Sequence, residues 1–406
     1  MTGGRRTTTR RARFWCAAVL VVFATAAPGH AGRSFIPIPE IILDPNEGTT
    51  LGVLPVVLFT NEKDEIRYML APDFSYNRTR GFFPRFRLFS YPTPTRRWSL
   101  IAGKSTTKDE RYIANFTERS LWGSSAYIVA GLLHERDSTR RFFGFGNSSH
   151  EARESNYTGN DTVAEASPGV WLVPHLALAY DMRIRRHSIE SGQVTSLPFI
   201  ETEHPESRGR GDAPAVYWSH RVSLTYDSRD DLDIPARGAF ATAYTEAADR
   251  TLGSATSFVK FGTEWRDFVP VQIRRLRGVL ALRVLLNYVN GSKDTPFWEQ
   301  SSVGERDLRA FGTDRFIDFN RSVANIEFRM PVYRRRLFGV NPELEVAPFF
   351  DAGEVFHRID NSPVSDLHVA YGMGFRVVVR PQIVAYVDIG FGYEGSAVFS
   401  GVGYPF

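Results

Sequence analysis

The residues of this chain whose types could do chemistry stand in few productive arrangements. Asp227, Arg229 and Asp230 fall within four positions, close enough for carboxylates to share acid–base work. They begin a stretch that runs through Ile234-Pro235-Ala236-Arg237-Gly238, and its Pro and Gly punctuation reads as a turn whose acids and arginine satisfy one another. Ser148-Ser149-His150 sets hydroxyls beside an imidazole, but no acid or second motif stands at a spacing that would complete a hydrolase. His134, His150, His187, His204 and His220 have no metal-ligand spacing, so each reads as a loop or wall residue. The single cysteine, Cys16, lies in a segment expected to be removed, which excludes disulfides, zinc–thiolate sites and cysteine nucleophiles. The expectation is a protein with no catalytic residue, no metal and no cofactor: not an enzyme.

The elements that would position any site begin after a targeting segment. Arg5, Arg6, Arg10, Arg11 and Arg13 precede an apolar run from Phe14 to Ala27 and small residues up to Ala31. That is the layout of a cleaved secretory signal over residues 1–31, with an apolar run too short to span a bilayer. The chain carries 49 Lys and Arg against 45 Asp and Glu. Removing five arginines and no acid takes its formal +4 to about −1, so the basic balance belongs to the signal and implies no nucleic-acid partner.

Beyond residue 31 the dominant period is two. Ala324, Ile326, Phe328 and Met330 alternate with Asn325, Glu327 and Arg329, and Ala239–Tyr244 and Ser257–Gly262 alternate similarly. Many such segments run ten to fourteen residues, against about five or six for a soluble strand and about nine to eleven for a tilted membrane strand. Aromatics make up 13% of the chain, with 31 Phe and 16 Tyr, while mean hydropathy is only −0.24. Both fit strands with one face to lipid and one to water. In lipid every backbone polar group must be paired, so such a sheet must close. The expected fold is all-β, a transmembrane antiparallel β-barrel over residues 49–406, preceded by a short periplasmic segment, 32–48. Seventeen candidate strands can be drawn from residue 49 onward. A bacterial barrel needs an even number, so one segment within 80–105 is set aside and about 16 strands are expected. Short turns are expected at Pro270-Val271-Gln272 and Arg380-Pro381-Gln382, and long polar outer loops at 136–155, 188–214 and 291–319.

The chain ends Gly401-Val402-Gly403-Tyr404-Pro405-Phe406. The placing of Gly401, Tyr404 and Phe406 resembles the C-terminal β-signal read by the outer-membrane assembly machinery, although Phe399 stands where that signal has a polar residue. Tyr404 and Phe406, two apart, would share one strand face suited to the interfacial belt. Four further segments, in order, resemble the barrel of the BamA/TamA superfamily, the bacterial surface antigen type, over roughly residues 45–406. Arg141-Phe142-Phe143-Gly144-Phe145-Gly146-Asn147 resembles an outer loop of that family. Asp227, Arg229, Asp230, Pro235 and Gly238 resemble its periplasmic turn. Leu308-Arg309-Ala310-Phe311 resembles the tip of its long sixth loop, and Asn325–Phe328 and Phe349–Gly353 its two following strands.

The resemblance implies that segment 291–319 folds into the lumen and that Arg309 meets Glu327 and Asp351. The residues themselves agree. Glu327 lies on the polar face of its strand, opposite Ile326 and Phe328, and Asp351 sits among Phe349, Phe350 and Ala352, where an unpaired carboxylate would be costly. Ala310 departs from the family's glycine, so a backbone needing φ > 0 there would be strained. The resemblance also places the protein in the outer membrane of a Gram-negative-type bacterium, among lipids and lipopolysaccharide, inserted by the assembly machinery. The family's assembly members carry periplasmic transport-associated domains, for which residues 32–48 leave no room. Two roles are therefore expected. One is a stand-alone barrel with a membrane, permeation or surface-interaction role. The other is a minimal assembly or translocation barrel opening at a lateral seam, with a separate periplasmic partner.

Overall fold

The computed structural model describes residues 33–406 apart from 63–64, 208–213, 275, 293, 335–341, 359, 361–365 and 381–382. The expected signal, 1–31, and most of the turn at 380–382 lie outside the described residues.

Alternation along the chain becomes a ring of antiparallel strands. In order they are β1 (Arg33–Asp44), β2 (Gly48–Thr60), β3 (interrupted, Ile66–Leu70 and Asp73–Asn77), β4 (Gly81–Ser90), β5 (Arg96–Lys104), β6 (Glu110–Leu121), β7 (Ala126–Phe142), β8 (Ser155–Val173) and β9 (Leu176–Ser191). The ring continues with β10 (Ala215–Asp227), β11 (Gly238–Ala248), β12 (Phe258–Ile273), β13 (Leu276–Gly291), β14 (Asn320–Arg334), β15 (Glu343–Phe356), β16 (His368–Val379), β17 (Ile383–Gly392) and β18 (Gly395–Val402). Each strand pairs with its successor, and β18 meets β1 through Leu43 and Val398. The sheet closes on itself, as lipid requires.

Along β14 the faces separate as the sequence implies: Asn325, Glu327 and Arg329 are buried in the lumen, while Ile326 is exposed on the wall. Tyr76, Trp98, Trp218, Trp265 and Tyr371 are likewise exposed on the outside, the surface a bilayer covers.

Eighteen strands stand in the ring, not about 16. Both 80–91 and 95–105 are strands, and the missing partner lies at the start. Residues 33–44 are not a short periplasmic segment but β1, paired with β2 from Arg33↔Phe59 to Asp44↔Gly48. Pro37 and Pro39 hid it, because proline cannot donate to a ladder and argues against a strand. The register shows how they are tolerated. Pro37 stands opposite Pro55, and two prolines cannot exchange N–H bonds, so both nitrogens point away from the β1–β2 ladder. Pro55 thereby faces the interruption of β3, and Pro37 and Pro39 face β18. The turn expected at 270–272 also lies further on, since β12 continues to Ile273 with Pro270 opposite Val279.

The connections form two rims. At the rim where β1 starts and β18 ends they are mostly short. At the other, the loop rim, 143–154, 192–214 and 292–319 are long. Counting from β1, the connection 292–319 is the seventh on its rim rather than the sixth.

Candidate functional site: a loop anchored in the lumen

The loop between β13 and β14 turns inward because it is partly apolar. Two three-residue strands, Ser301–Val303 and Phe316–Asp318, pair to form its stem, with Val303 opposite Phe316. Val303, Leu308, Ala310, Phe311 and Phe316 are buried together with Leu285, Val323, Val355 and Ala370 of the barrel wall. Burying each large side chain is worth about 1.5–3 kcal/mol, which offsets much of the cost of ordering the loop.

Its tip carries a charge into this setting. Arg309, 2% exposed, donates from Nε to Asp351 Oδ2 at 2.9 Å and from Nη2 to Asp351 Oδ1 at 2.8 Å. Its Nη1 donates to Glu327, and its guanidinium carbon lies 3.6 Å from the centre of the Phe349 ring. β14 supplies Glu327, β15 supplies Asp351, and their inward parity aims both at the loop. Sequence reasoning missed three more members of the cluster. Arg376 on β16 donates to Glu327 at 3.0 Å and to Asp388 on β17 at 2.5 Å, and Arg329 donates to Glu327 at 2.9 Å. Three arginines thus face three carboxylates, all buried. That balance is what makes six buried charged groups tolerable side by side. The signal that could have found them was inward parity: each is a charge in mid-strand with apolar neighbours on both sides.

Leu308 and Phe311 flank Arg309 and are fully buried. Ala310 is buried and is not among the residues with positive φ, so the alanine is accommodated without that strain. The close approach is made possible from the wall instead. A Cβ at Gly390 on β17 would stand 1.6 Å from the Arg309 carbonyl oxygen, so only glycine lets the tip lie this deep.

Two further anchors hold the loop on other parts of the wall. Glu299, 1% exposed, accepts from Lys260 Nζ on β12 at 2.7 Å and from Arg183 and Arg185 on β9 at 2.8 and 3.1 Å. Burial would raise its pKa, but these three cations outweigh burial and hold it well below the ordinary carboxylate range. Asp307 accepts from Arg283 on β13 at 2.7 Å and from Arg321 on β14 at 2.8 Å.

The remaining motif residues lie elsewhere. In the turn after β10, Arg229 donates from Nε and Nη2 to both oxygens of Asp227 at 2.9 and 2.8 Å, and Asp230 accepts the N–H groups of Ala236 and Arg237 at 2.9 and 3.1 Å. Gly238 has φ +97°, and a Cβ there would stand 2.3 Å from the Ser228 carbonyl oxygen. Between these fixed ends the buried Ile234 and Pro235 reach inward. Ile234 packs on Val378 of β16, Val384 of β17 and Tyr404, while Asp233 accepts from Arg97 of β5 at 2.9 Å. The turn therefore crosses the mouth of the barrel.

The chain end also differs from expectation. Gly401 closes β18 with Val402, but Gly403 turns at φ +98°, and the last residues leave the strand. Tyr404 donates to Glu345 at 2.7 Å. Phe406 is buried against Phe268 and Ala281 inside the barrel, and its carbonyl accepts from Arg329 at 3.1 Å. The two aromatics turn into the lumen instead of sitting in an interfacial belt, because Arg329 and its apolar surroundings offer both a donor and cover. Among the described residues, no group of three or more His, Cys, Asp or Glu is placed to hold a metal ion.

Residues 97–381 match the model of the Omp85 superfamily domain. Among solved structures, BamA from Haemophilus ducreyi lacking POTRA domains 1–3 is similar at 12% identity and a TM-score of 0.54, over 91% of this chain and 75% of that one. CdiB from Acinetobacter baumannii is similar at 9% identity and a TM-score of 0.50, over 91% of this chain and 59% of that one. No curated protein is similar in sequence. At these identities the structures speak to the fold alone.

Proposed function

This chain belongs to the Omp85 superfamily and is a Gram-negative outer-membrane β-barrel; we propose that it acts as a stand-alone barrel, closed at rest, with a permeation or surface-interaction role. The observation that carries this reading is the double closure of the lumen. Loop 292–319 fills it from one rim on three charged anchors, and the turn around Ile234 crosses it from the other. A barrel built to pass solutes on demand needs such a plug, with polar anchors that can be exchanged for water.

The second reading, a minimal assembly or translocation barrel with separate periplasmic partners, draws on the seam. β1 and β18 share one ladder pair, Leu43 and Val398, where β1 shares twelve with β2 and β18 eight with β17. An incoming strand would have to pair with an edge. The edge of β1 lacks N–H donors at Pro37 and Pro39, so it is a poor template, and this favours the first reading. In either role the wall meets lipid and lipopolysaccharide, and the assembly machinery inserts the chain.

Purified protein in liposomes separates the two. The first reading expects entry of small solutes that rises on loss of loop anchoring, with no acceleration of the insertion of an unfolded outer-membrane protein. Faster insertion without solute entry would establish the second.

A further inference from the structure

The seam is almost unpaired, yet its two sides are held in place. Extending the register from Leu43↔Val398 would set Pro39 opposite Val402 and Pro37 opposite Tyr404, so the missing donors fall where a longer ladder would have to run. Strand pairing supplies little of the closure. Side-chain hydrogen bonds to both sides of the seam come instead from the outgoing limb of the luminal loop.

We infer that loop residues 313–315 form a clasp that shuts the seam from the loop rim. On the β1 side, Asn46 in the β1–β2 turn donates from Nδ2 to the Thr313 carbonyl at 2.8 Å. That turn is preformed, since the Asp44 carboxylate accepts the N–H groups of Asn46 and Glu47 at 2.7 and 3.0 Å. On the β18 side, two residues further along the loop, Arg315 Nε donates to the Glu394 carboxylate at 2.8 Å in the hairpin joining β17 to β18. Arg315 is 3% exposed and lies between the Phe143 and Phe316 rings, at 4.3 and 4.4 Å from their centres. It also donates to Ser149 Oγ and to the Ser149 carbonyl, both at 3.0 Å. A guanidinium fixed on both faces and along its edge can transmit position, which a solvated ion pair cannot.

Between the two arms lies a cavity of about 430 Å³, lined by Leu43, Asp44, Glu151, Phe311, Arg315 and Glu394. It is space a continuous ladder would not leave. Because Arg309 and Thr313–Arg315 belong to one loop, withdrawing the plug also undoes the clasp, and lumen opening and seam opening are one event. This rests on the closed barrel and not on the stand-alone role proposed above.

Spin labels on Leu51→Cys of β2 and Phe391→Cys of β17, both exposed on the outer wall, flank the seam. In a Cys16→Ser background in nanodiscs, double electron–electron resonance should give one narrow distance distribution. Arg315→Ala, or Glu394→Gln with Asn46→Ala, should add a longer, broad population while the protein still migrates as a folded barrel before heating. Arg315→Lys should restore part of the narrow one. A narrow distribution unchanged in the folded Glu394→Gln, Asn46→Ala protein would overturn the clasp. So would an Arg309→Ala protein whose loop is released and whose seam distance stays put. Should Arg315→Ala fail to fold, the other two variants decide.

Discussion

Arg309 and Asp351 meet edge to edge: Nε and Nη2 of the guanidinium address both carboxylate oxygens at 2.9 and 2.8 Å, and the backbone N–H of Arg309 donates to the same carboxylate at 3.1 Å. Side chain and backbone of the loop tip thus converge on a single wall residue. Removing one partner of a buried pair leaves the other uncompensated, at about 3–5 kcal/mol. Arg309→Ala is expected to expose the loop to protease and lower the melting temperature. Asp351→Asn and Glu327→Gln should act in the same direction. Each combined with Arg309→Ala should fall well short of the sum, because members of one network are not additive. Thermal unfolding of the single and double variants in detergent checks this, and additive effects would show that the three act separately.

The second anchor sets a pH dependence. The carboxylate of Glu299 is held below its ordinary value of 4.5 by Lys260, Arg183 and Arg185 against the effect of burial. A group depressed on folding contributes stability that is fully present above its unfolded value and is lost as pH falls through the folded one. Loop protection against protease should therefore be equal at pH 7 and pH 5 and fail only in stronger acid. Glu299→Gln should loosen the loop at both pH values. Release already at pH 5 in the unmodified protein would contradict the anchor.

The turn after β10 depends on one side chain at its neck. Asp230 accepts two backbone N–H groups at the exposed neck of the turn, and each such hydrogen bond is worth about 0.5–1.5 kcal/mol net. Asp230→Ala should free Ile234 from Val378 and Val384, read as faster amide exchange across 228–238. Unchanged exchange would mean that the turn is held from elsewhere.

The chain end carries two separable effects. Deleting Tyr404 and Phe406 should lower the amount reaching the outer membrane, since Gly401, Tyr404 and Phe406 are the proposed assembly signal. Phe406→Ala should in addition cost the folded barrel about 3–5 kcal/mol if its site cannot collapse, because Phe406 is buried on Phe268 and Ala281. Normal membrane levels of the double deletion would show that the signal is not used.

How much of this was legible follows from what each residue's type can reveal. The barrel was readable because alternation such as Ala324–Met330 fixes which side chains face inward, and parity put Glu327 in the lumen before any coordinates. The strand count was not, because Pro37 and Pro39 look like strand breakers unless their nitrogens are known to face a seam. That geometry depends on Pro55 in the next strand. Arg309, Glu327 and Asp351 could be named from motif order together with the cost of an unpaired acid among Phe349 and Phe350. Inward parity marks Arg376 and Asp388 as facing the lumen but does not distinguish a buried mid-strand charge from one lining a wet channel, and Glu299 lies in the loop itself, in the short turn Phe297–Glu299; only the course of the loop into the lumen buries all three. The inward course of Tyr404 and Phe406 was hidden for the same reason. Their spacing suits a strand face, and it is Arg329, far away in sequence, that draws Phe406 inside.

The proposed resting state requires loop 292–319 to be the plug of a closed barrel. Single-channel conductance in planar bilayers tests this most directly, comparing the unmodified protein, Arg309→Ala and a deletion of residues 292–319. The prediction is a protein that is silent or opens rarely, brief openings with Arg309→Ala, and a steady large conductance once the loop is gone. Equal conductance in all three, in protein that still shifts its gel migration on heating, would mean that the loop does not close the lumen.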